Sequence, residues 1–213
     1  MMQYIRDPEK IEVQIWDRIR ELSDFSELST DQQQIVLYLI RACGEPSLAQ
    51  RVKFSPHAIE AGKKAIKKYA YMLYDHDMLG GNLDRSLLYQ EPLCFINKSS
   101  VISMAKSTKQ TRAMTAVDLW KPYLKNSITV FGYSSTALCR LLELLKEGEV
   151  EKPALIIAMP SGFINTEYGK EILQESYDEL GVEYILIEGR WGGIMFAAAA
   201  VNALLSIQQG IYR

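Results

Sequence analysis

The chain has 213 residues, 48% of them apolar and 23% charged, which suits one globular domain of fair size, or at most a domain with a small appendage. Its net charge of −2 points to neither a nucleic-acid partner nor a membrane surface. Three widely spaced cysteines (Cys43, Cys94, Cys139) form no CxxC pair and read as free thiols of a reducing cytoplasm, two histidines (His57, His76) argue against a histidine-rich metal site, and the opening MMQYIRDPEK lacks the apolar stretch of a signal peptide.

The first helix is announced by Asp7-Pro8, a cap followed by proline at the first helical position. Ile11, Ile15, Ile19 and Leu22 then recur at helical spacing and are expected to face the core. Ser29 to Gln32 has the spacing of a capping box and opens a second helix through Ile35, Val36, Leu39 and Ile40, which ends near Gly44. Ser55-Pro56 opens a third, with Ala58, Ile59, Gly62, Ala65 and Ile66 on its inner face.

Beyond Tyr69 the period changes. Five short apolar runs follow: YAYMLYD, PLCFINK, SITVFGYSS, ALIIAMPSG and VEYILIEGR. Each of the last four leads into a helical pattern. Alternation of this kind predicts an α/β fold: one domain over residues 1–213, with a five-stranded, mainly parallel sheet covered by helices on both faces, doubly wound. The run MFAAAAVNALL is too short and too alanine-rich to span a bilayer and reads as a buried helix.

In an open parallel sheet, ligands bind beyond the carboxyl ends of the strands. Those ends are HDMLGGNLDR, NKSS, FGYSST, MPSGF and EGRWGG, rich in glycine and hydroxyl groups. The stretch from Lys98 to Arg112 holds Lys98, Lys106, Lys109 and Arg112 with no acidic residue, and Arg85 and Arg190 stand at two other ends. Such a set favours a phosphate or carboxylate ligand, aided by backbone donors where helices start after glycine turns; the competing reading is a solvated basic helix face. No GxxxxGK[ST], no GxGxxG after the first strand and no GxSxG is present. Asp75 and Asp77 read as capping groups.

Taken together, YIRDPEKIE, RACGEP, KFSPHAIEAGKKAI, DHDM, TRAMTAVDLW, GYSSTAL, MPSGF and GRWGG resemble the precorrin-8X methylmutase (precorrin isomerase) family along nearly the whole chain. The resemblance implies an isomerase of cobalamin biosynthesis that moves a methyl group from C11 to C12 of a corrin precursor. It implies no metal ion or organic cofactor, and a homodimer with the site at the subunit interface. A ring bearing many carboxylates would give the basic set its purpose. The family's proton donor is a histidine near the end of the second helix, and that position here is Arg41, which stays charged at any working pH and cannot replace an imidazolium as an acid. Gln14-Ile15, Asn82-Leu83-Asp84 and Gly132-Tyr133-Ser134-Ser135-Thr136 also depart from the family's pattern.

On this reading Arg41 takes the catalytic position, and Arg112 and Arg190 meet ring carboxylates. Asp84, Thr111, Tyr133, Ser134 and Thr136 line the pocket, and Gly162, Gly192 and Gly193 let the backbone approach the ring closely. His76, near a strand end, is a candidate proton donor if it faces the pocket. Two alternatives stay open: a tetrapyrrole-binding paralogue with little isomerase activity, and a different enzyme acting on another anionic ring.

Overall fold

The computed structural model describes residues 2–213. Helix α1 spans Pro8–Leu22, with Asp7 accepting hydrogen bonds from the Glu9 and Lys10 amides, and α2 spans Thr30–Cys43. The capping box is formed: the Ser29 side chain accepts from the Gln32 amide and the Gln32 side chain accepts from the Ser29 amide. Gly44 ends α2 at φ 72, the left-handed conformation that glycine adopts without strain. A three-residue strand β1 (Val52–Phe54) precedes α3 (Ala58–Lys67), whose buried residues are the five expected.

The rest alternates: β2 (Met72–Tyr74), α4 (Asp77–Gly80), α5 (Ser99–Thr108), α6 (Arg112–Val117), β3 (Ile128–Phe131), α7 (Ser135–Lys146), β4 (Leu155–Ala158), α8 (Thr166–Glu175), α9 (Tyr177–Leu180), β5 (Glu183–Ile187) and α10 (Ile194–Gln208). The sheet order is β1-β5-β4-β3-β2; β1 is antiparallel to β5 and the other pairs are parallel. The sheet is thus five-stranded and mainly parallel, as expected, but one strand is exchanged. PLCFINK meets β2 only through a single bridge, Leu73 to Leu93, because the chain arrives from Pro92, turns at Phe95 and enters α5. The strand in its stead is β1, whose Lys53 interrupts an apolar pattern only three residues long.

Successive strand residues face opposite sides. Ile128, Val130, Leu155, Ile157, Ile185 and Ile187 join one core with α1, α2, α3 and α10. Phe131, Ile156, Ala158 and Leu186 join the other with α5, α6 and α7. Strands β2 to β5 cross the sheet in chain order and the crossover helices α5 to α9 share one face, while α1, α2, α3, α10 and the short α4, through Leu79, cover the other. MFAAAAVNALL lies in α10, which packs along α2 and α3, and no helix among the described residues is long and apolar enough to cross a membrane. Gly62 brings α3 close to α10: a Cβ there would come within 2.8 Å of the Leu204 side chain.

Helix α1 departs from its predicted face. Trp16 and Ile19 are buried, whereas Ile11 and Leu22 are exposed. They border an open groove of about 880 Å³ between α1 and α2 that also reaches Ile40 and Arg41.

Candidate functional site

The parallel strands deliver their carboxyl ends to one edge of the molecule. Strand β2 is followed by Asp75, 1% exposed, whose oxygens accept from three consecutive amides after β3: Gly132 at 3.1 Å, Tyr133 at 2.9 Å and Ser134 at 2.6 Å. Burial raises the carboxyl's hold on its proton, and the three amides oppose that. The glycine turn before α7 is the natural anion cradle of such a fold. Here its donors already serve the protein's own carboxylate, so at this loop the expected backbone donors are not free for a ligand.

Around the cradle the hydroxyl groups form a chain. Thr111 Oγ1 lies 2.7 Å from Thr136 Oγ1, which lies 3.0 Å from Ser134 Oγ. Thr111 caps α6 by accepting from the Met114 amide, and Ser134 caps α7 by accepting from the Ala137 amide. Arg112, exposed, donates to Asn97 Oδ1 at 3.2 Å, and Asn97 in turn donates to Asp77. The His76 ring stands 4.4 Å from that of Tyr133 and accepts the Met78 amide at Nδ1, which leaves Nε2 to carry the proton of the neutral ring.

At β4 and β5 two glycine loops are bolted together. Gly193 donates to the Met159 carbonyl at 2.7 Å and Gly162 to the Arg190 carbonyl at 3.3 Å. Gly192 has φ +153, and a Cβ there would sit 2.4 Å from the Met159 carbonyl oxygen and 2.5 Å from that of Pro160. The close approach that requires glycine here is made by the protein's own backbone. Arg190 lies over the Phe163 ring at 5.4 Å, and Phe163, Ile164, Trp191 and Met195 stand exposed along this edge.

Arg41 occupies the last turn of α2 and is clamped. Its two terminal nitrogens donate to the two Glu12 oxygens, each at 2.8 Å, and its guanidinium lies 4.7 Å from the Trp16 ring centroid. The Trp16 indole donates to Glu12 at 3.1 Å and stacks on Tyr38 at 5.3 Å. Arg41 also lines a cavity of about 450 Å³, half polar and half apolar, with Tyr38, Asn82, Asp84, Asn202 and Arg213 on its polar part. Asn202 of α10 fixes the loop below it, accepting from the Asp84 amide and donating to the Asn82 carbonyl. The Asp84 carboxylate is turned back on its own loop, where it accepts from the Ser86 amide and hydroxyl.

The precorrin-8X methylmutase family model matches residues 10–207. The chain belongs to the precorrin-8X methylmutase family. It is similar to the precorrin-8X methylmutase of Pseudomonas aeruginosa, 36% identical over 206 residues that cover 96% of this chain and 98% of the relative. It is also similar to the cobalt-precorrin-8 methylmutase of Methanocaldococcus jannaschii, 32% identical over 197 residues, 92% of this chain and 87% of the relative. The crystal structure of the precorrin-8X methylmutase from Thermus thermophilus superposes with a TM-score of 0.85 at 30% identity, over 95% of this chain and 98% of that one.

Among the expected residues of this methylmutase-family chain, the fold brings Thr111, Ser134 and Thr136 into one hydroxyl cluster, sets Arg41 and Asp84 on one cavity, and joins Gly162, Arg190, Gly192 and Gly193 in one double loop. Two parts of the basic set do not converge on it. Arg85 is paired with Glu91 at 2.6 Å. Lys106 and Lys109 are exposed, on α5 and at its end, because Val101 and Ala105 take that helix's inward face. Sequence reasoning missed Glu12, Tyr38, Asn202 and Lys170, and gave Asp75 only a capping role. Lys170 had a signal: it falls in the stripe Thr166, Gly169, Lys170, Leu173, at the spacing of a buried helical face.

Proposed function

We propose that this chain is the isomerase of cobalamin biosynthesis that moves the methyl group of precorrin-8X from C11 to C12. The observation that carries the proposal is the family match along nearly the whole chain. The charge distribution supports it. Arg112 and Arg190 make no ion pair among the described residues, and an unpaired guanidinium offers a planar fork to a carboxylate. The substrate carries carboxylates around its rim, so those arginines would anchor it.

Arg41 supplies no proton, and the Glu12 carboxylate offsets most of its charge. The clamp holds it at the cavity wall, where its remaining N–H groups would donate to a ring nitrogen or carboxylate that gains negative charge. The hydroxyl chain through Thr111, Thr136 and Ser134 and the His76 Nε2–H are the proton-bearing groups at the other strand ends. A homodimer is the expected assembly; the exposed Phe163, Ile164, Trp191 and Met195 support it, since apolar side chains grouped at a strand edge mark an interaction surface. A reducing cytoplasm is the expected compartment, supported by three free thiols.

The test is an absorbance titration with precorrin-8X followed over time. Progression to the rearranged ring, hydrogenobyrinic acid, establishes the isomerase. A stoichiometric shift that never progresses refutes catalysis and leaves a binding protein; no shift refutes both.

A further inference from the structure

Lys170 is 1% exposed and is the one buried lysine among the described residues. Its ammonium donates to the Gly189 carbonyl at 3.0 Å and to the Trp191 carbonyl at 2.6 Å, and makes no ion pair. Those two carbonyls bracket Arg190. Enclosing an unpaired ammonium costs several kcal/mol, and a methionine of similar length would fill the space without that penalty. Burial indeed pulls the Lys170 pKa down to about 8, with the Glu167 carboxylate, one turn earlier on α8, opposing the shift. A group this costly to enclose has a use beyond packing.

The loop it holds is otherwise tied on one side only. Gly162 and Gly193 fasten residues 190–193 to the β4 loop, while the peptide units around Arg190 point two carbonyls inward with no partner except the ammonium. Without it, two part-buried carbonyls would lose their partner, and the segment would turn them toward water. Turning them rotates the Arg190 backbone and removes the guanidinium from its place over Phe163.

We propose that Lys170 is the positioning residue for Arg190: from beneath the loop it fixes the backbone on both sides of Arg190, so that the guanidinium is presented, already ordered, to a carboxylate of the substrate. This rests on the isomerase reading above for the identity of the carboxylate. The local geometry alone supports the ordering of the loop. Pre-ordering matters because a free arginine side chain loses rotamer freedom on binding, and a fixed backbone removes part of that loss.

Two measurements on the full chain test this. Hydrogen exchange of the Gly193 amide, the loop's bond to the Met159 carbonyl, is compared in the wild type and Lys170→Met, with no substrate present. Exchange at least tenfold faster in the variant, with the helices unchanged, is expected; an unchanged rate overturns the proposal. Precorrin-8X affinity is then measured for Lys170→Met, Arg190→Ala and the double variant. The expected loss is about tenfold in each single variant, roughly 1.4 kcal/mol, with no further loss in the double and a larger effect on KM than on kcat. Losses that multiply, or wild-type affinity in Lys170→Met, overturn it. If Lys170→Met does not fold, Lys170→Gln keeps a donor without the charge, and rapid wild-type exchange of the Gly193 amide, which is bonded to the Met159 carbonyl, overturns the proposal without any variant. A wild type that takes up no tetrapyrrole refutes the isomerase reading alone, and the exchange comparison then decides Lys170.

Discussion

The Arg41 clamp makes a quantitative prediction. Arg41 and Glu12 are joined by two bonds of 2.8 Å, but their side chains are 41% and 32% exposed, so water screens them. Exposed pairs contribute about 0.2–1 kcal/mol, and the two-bond geometry places this one near the upper end. The Trp16 ring under the guanidinium adds roughly 0.5–1 kcal/mol. Arg41→Ala should therefore cost about 1–2 kcal/mol in urea denaturation. Glu12→Ala should cost as much or more, because it also strips the acceptor from the indole of Trp16, which is 4% exposed. The double variant isolates the pair, with an expected coupling of about 0.5–1 kcal/mol that shrinks in 1 M salt. Arg41→Lys should retain the charge and lose the fork, keeping at most about half of the coupling. A coupling of zero, or one indifferent to salt, would refute the assignment of Arg41 as a held cation. It would return the residue to an ordinary helix-end role, free to swing between the two cavities it borders.

Gly192→Ala should cost more than about 3 kcal/mol, since its Cβ would lie 2.4 Å from a carbonyl oxygen, whereas Gly44→Ala, with open space around it, should cost only the roughly 1–2 kcal/mol of a left-handed backbone; equal melting shifts for the two would refute the clash. Asp75→Asn replaces one acceptor oxygen by a donor facing an amide and should lower stability by roughly 2–3 kcal/mol, so an unchanged urea midpoint would show that the cradle tolerates a neutral group. The Lys170 ammonium holds its proton less tightly folded, with a pKa of about 8, than unfolded, near 10.4. The unfolded chain thus binds more protons between those values, and the wild type should gain on Lys170→Met as pH rises from about 8 to 10, by up to about 1.4 kcal/mol per pH unit; a flat difference across that window would contradict the buried charge.

What the sequence shows and what it hides divide along sequence distance. Ile128, Val130, Leu155 and Ile157 are assigned to the sheet by local pattern alone, as are the caps at Asp7 and Ser29 and the inner face of α3, because those signals lie within a few residues. PLCFINK carries a strand's composition, but a strand also needs a neighbour along its length, and only Leu93 finds one. The Glu12 clamp on Arg41 joins residues 29 apart, and the Asp75 cradle joins residues 57 to 59 apart. Neither leaves a periodic trace. Family resemblance could mark Arg41 as an exchanged position, but only the fold shows its charge already engaged. Thr111 and Ser134, expected as pocket-lining hydroxyls, cap helices α6 and α7; the same residue types suit either role, and composition cannot separate the two.

The distribution of charge bears on which anion the strand ends accept. A parallel sheet with a glycine turn before α7 would ordinarily receive a phosphate on the turn's amides, but a phosphate placed there would meet the Asp75 carboxylate, and repulsion in a buried setting disfavours it strongly. Of the arginines near this edge, Arg41 is engaged by Glu12 and Arg85 by Glu91. Arg112 and Arg190 remain without carboxylate partners, and both are exposed at the ends of different segments. Two separated guanidinium forks suit a broad molecule with carboxylates on several sides better than a compact group that concentrates its charge at one point. The turn before α7 is thus closed by the protein's own Asp75 side chain, and the unpaired guanidinium groups stand elsewhere along the rim. Removing the Asp75 side chain would leave the Gly132, Tyr133 and Ser134 amides, at the buried end of β3, without the acceptor they now share.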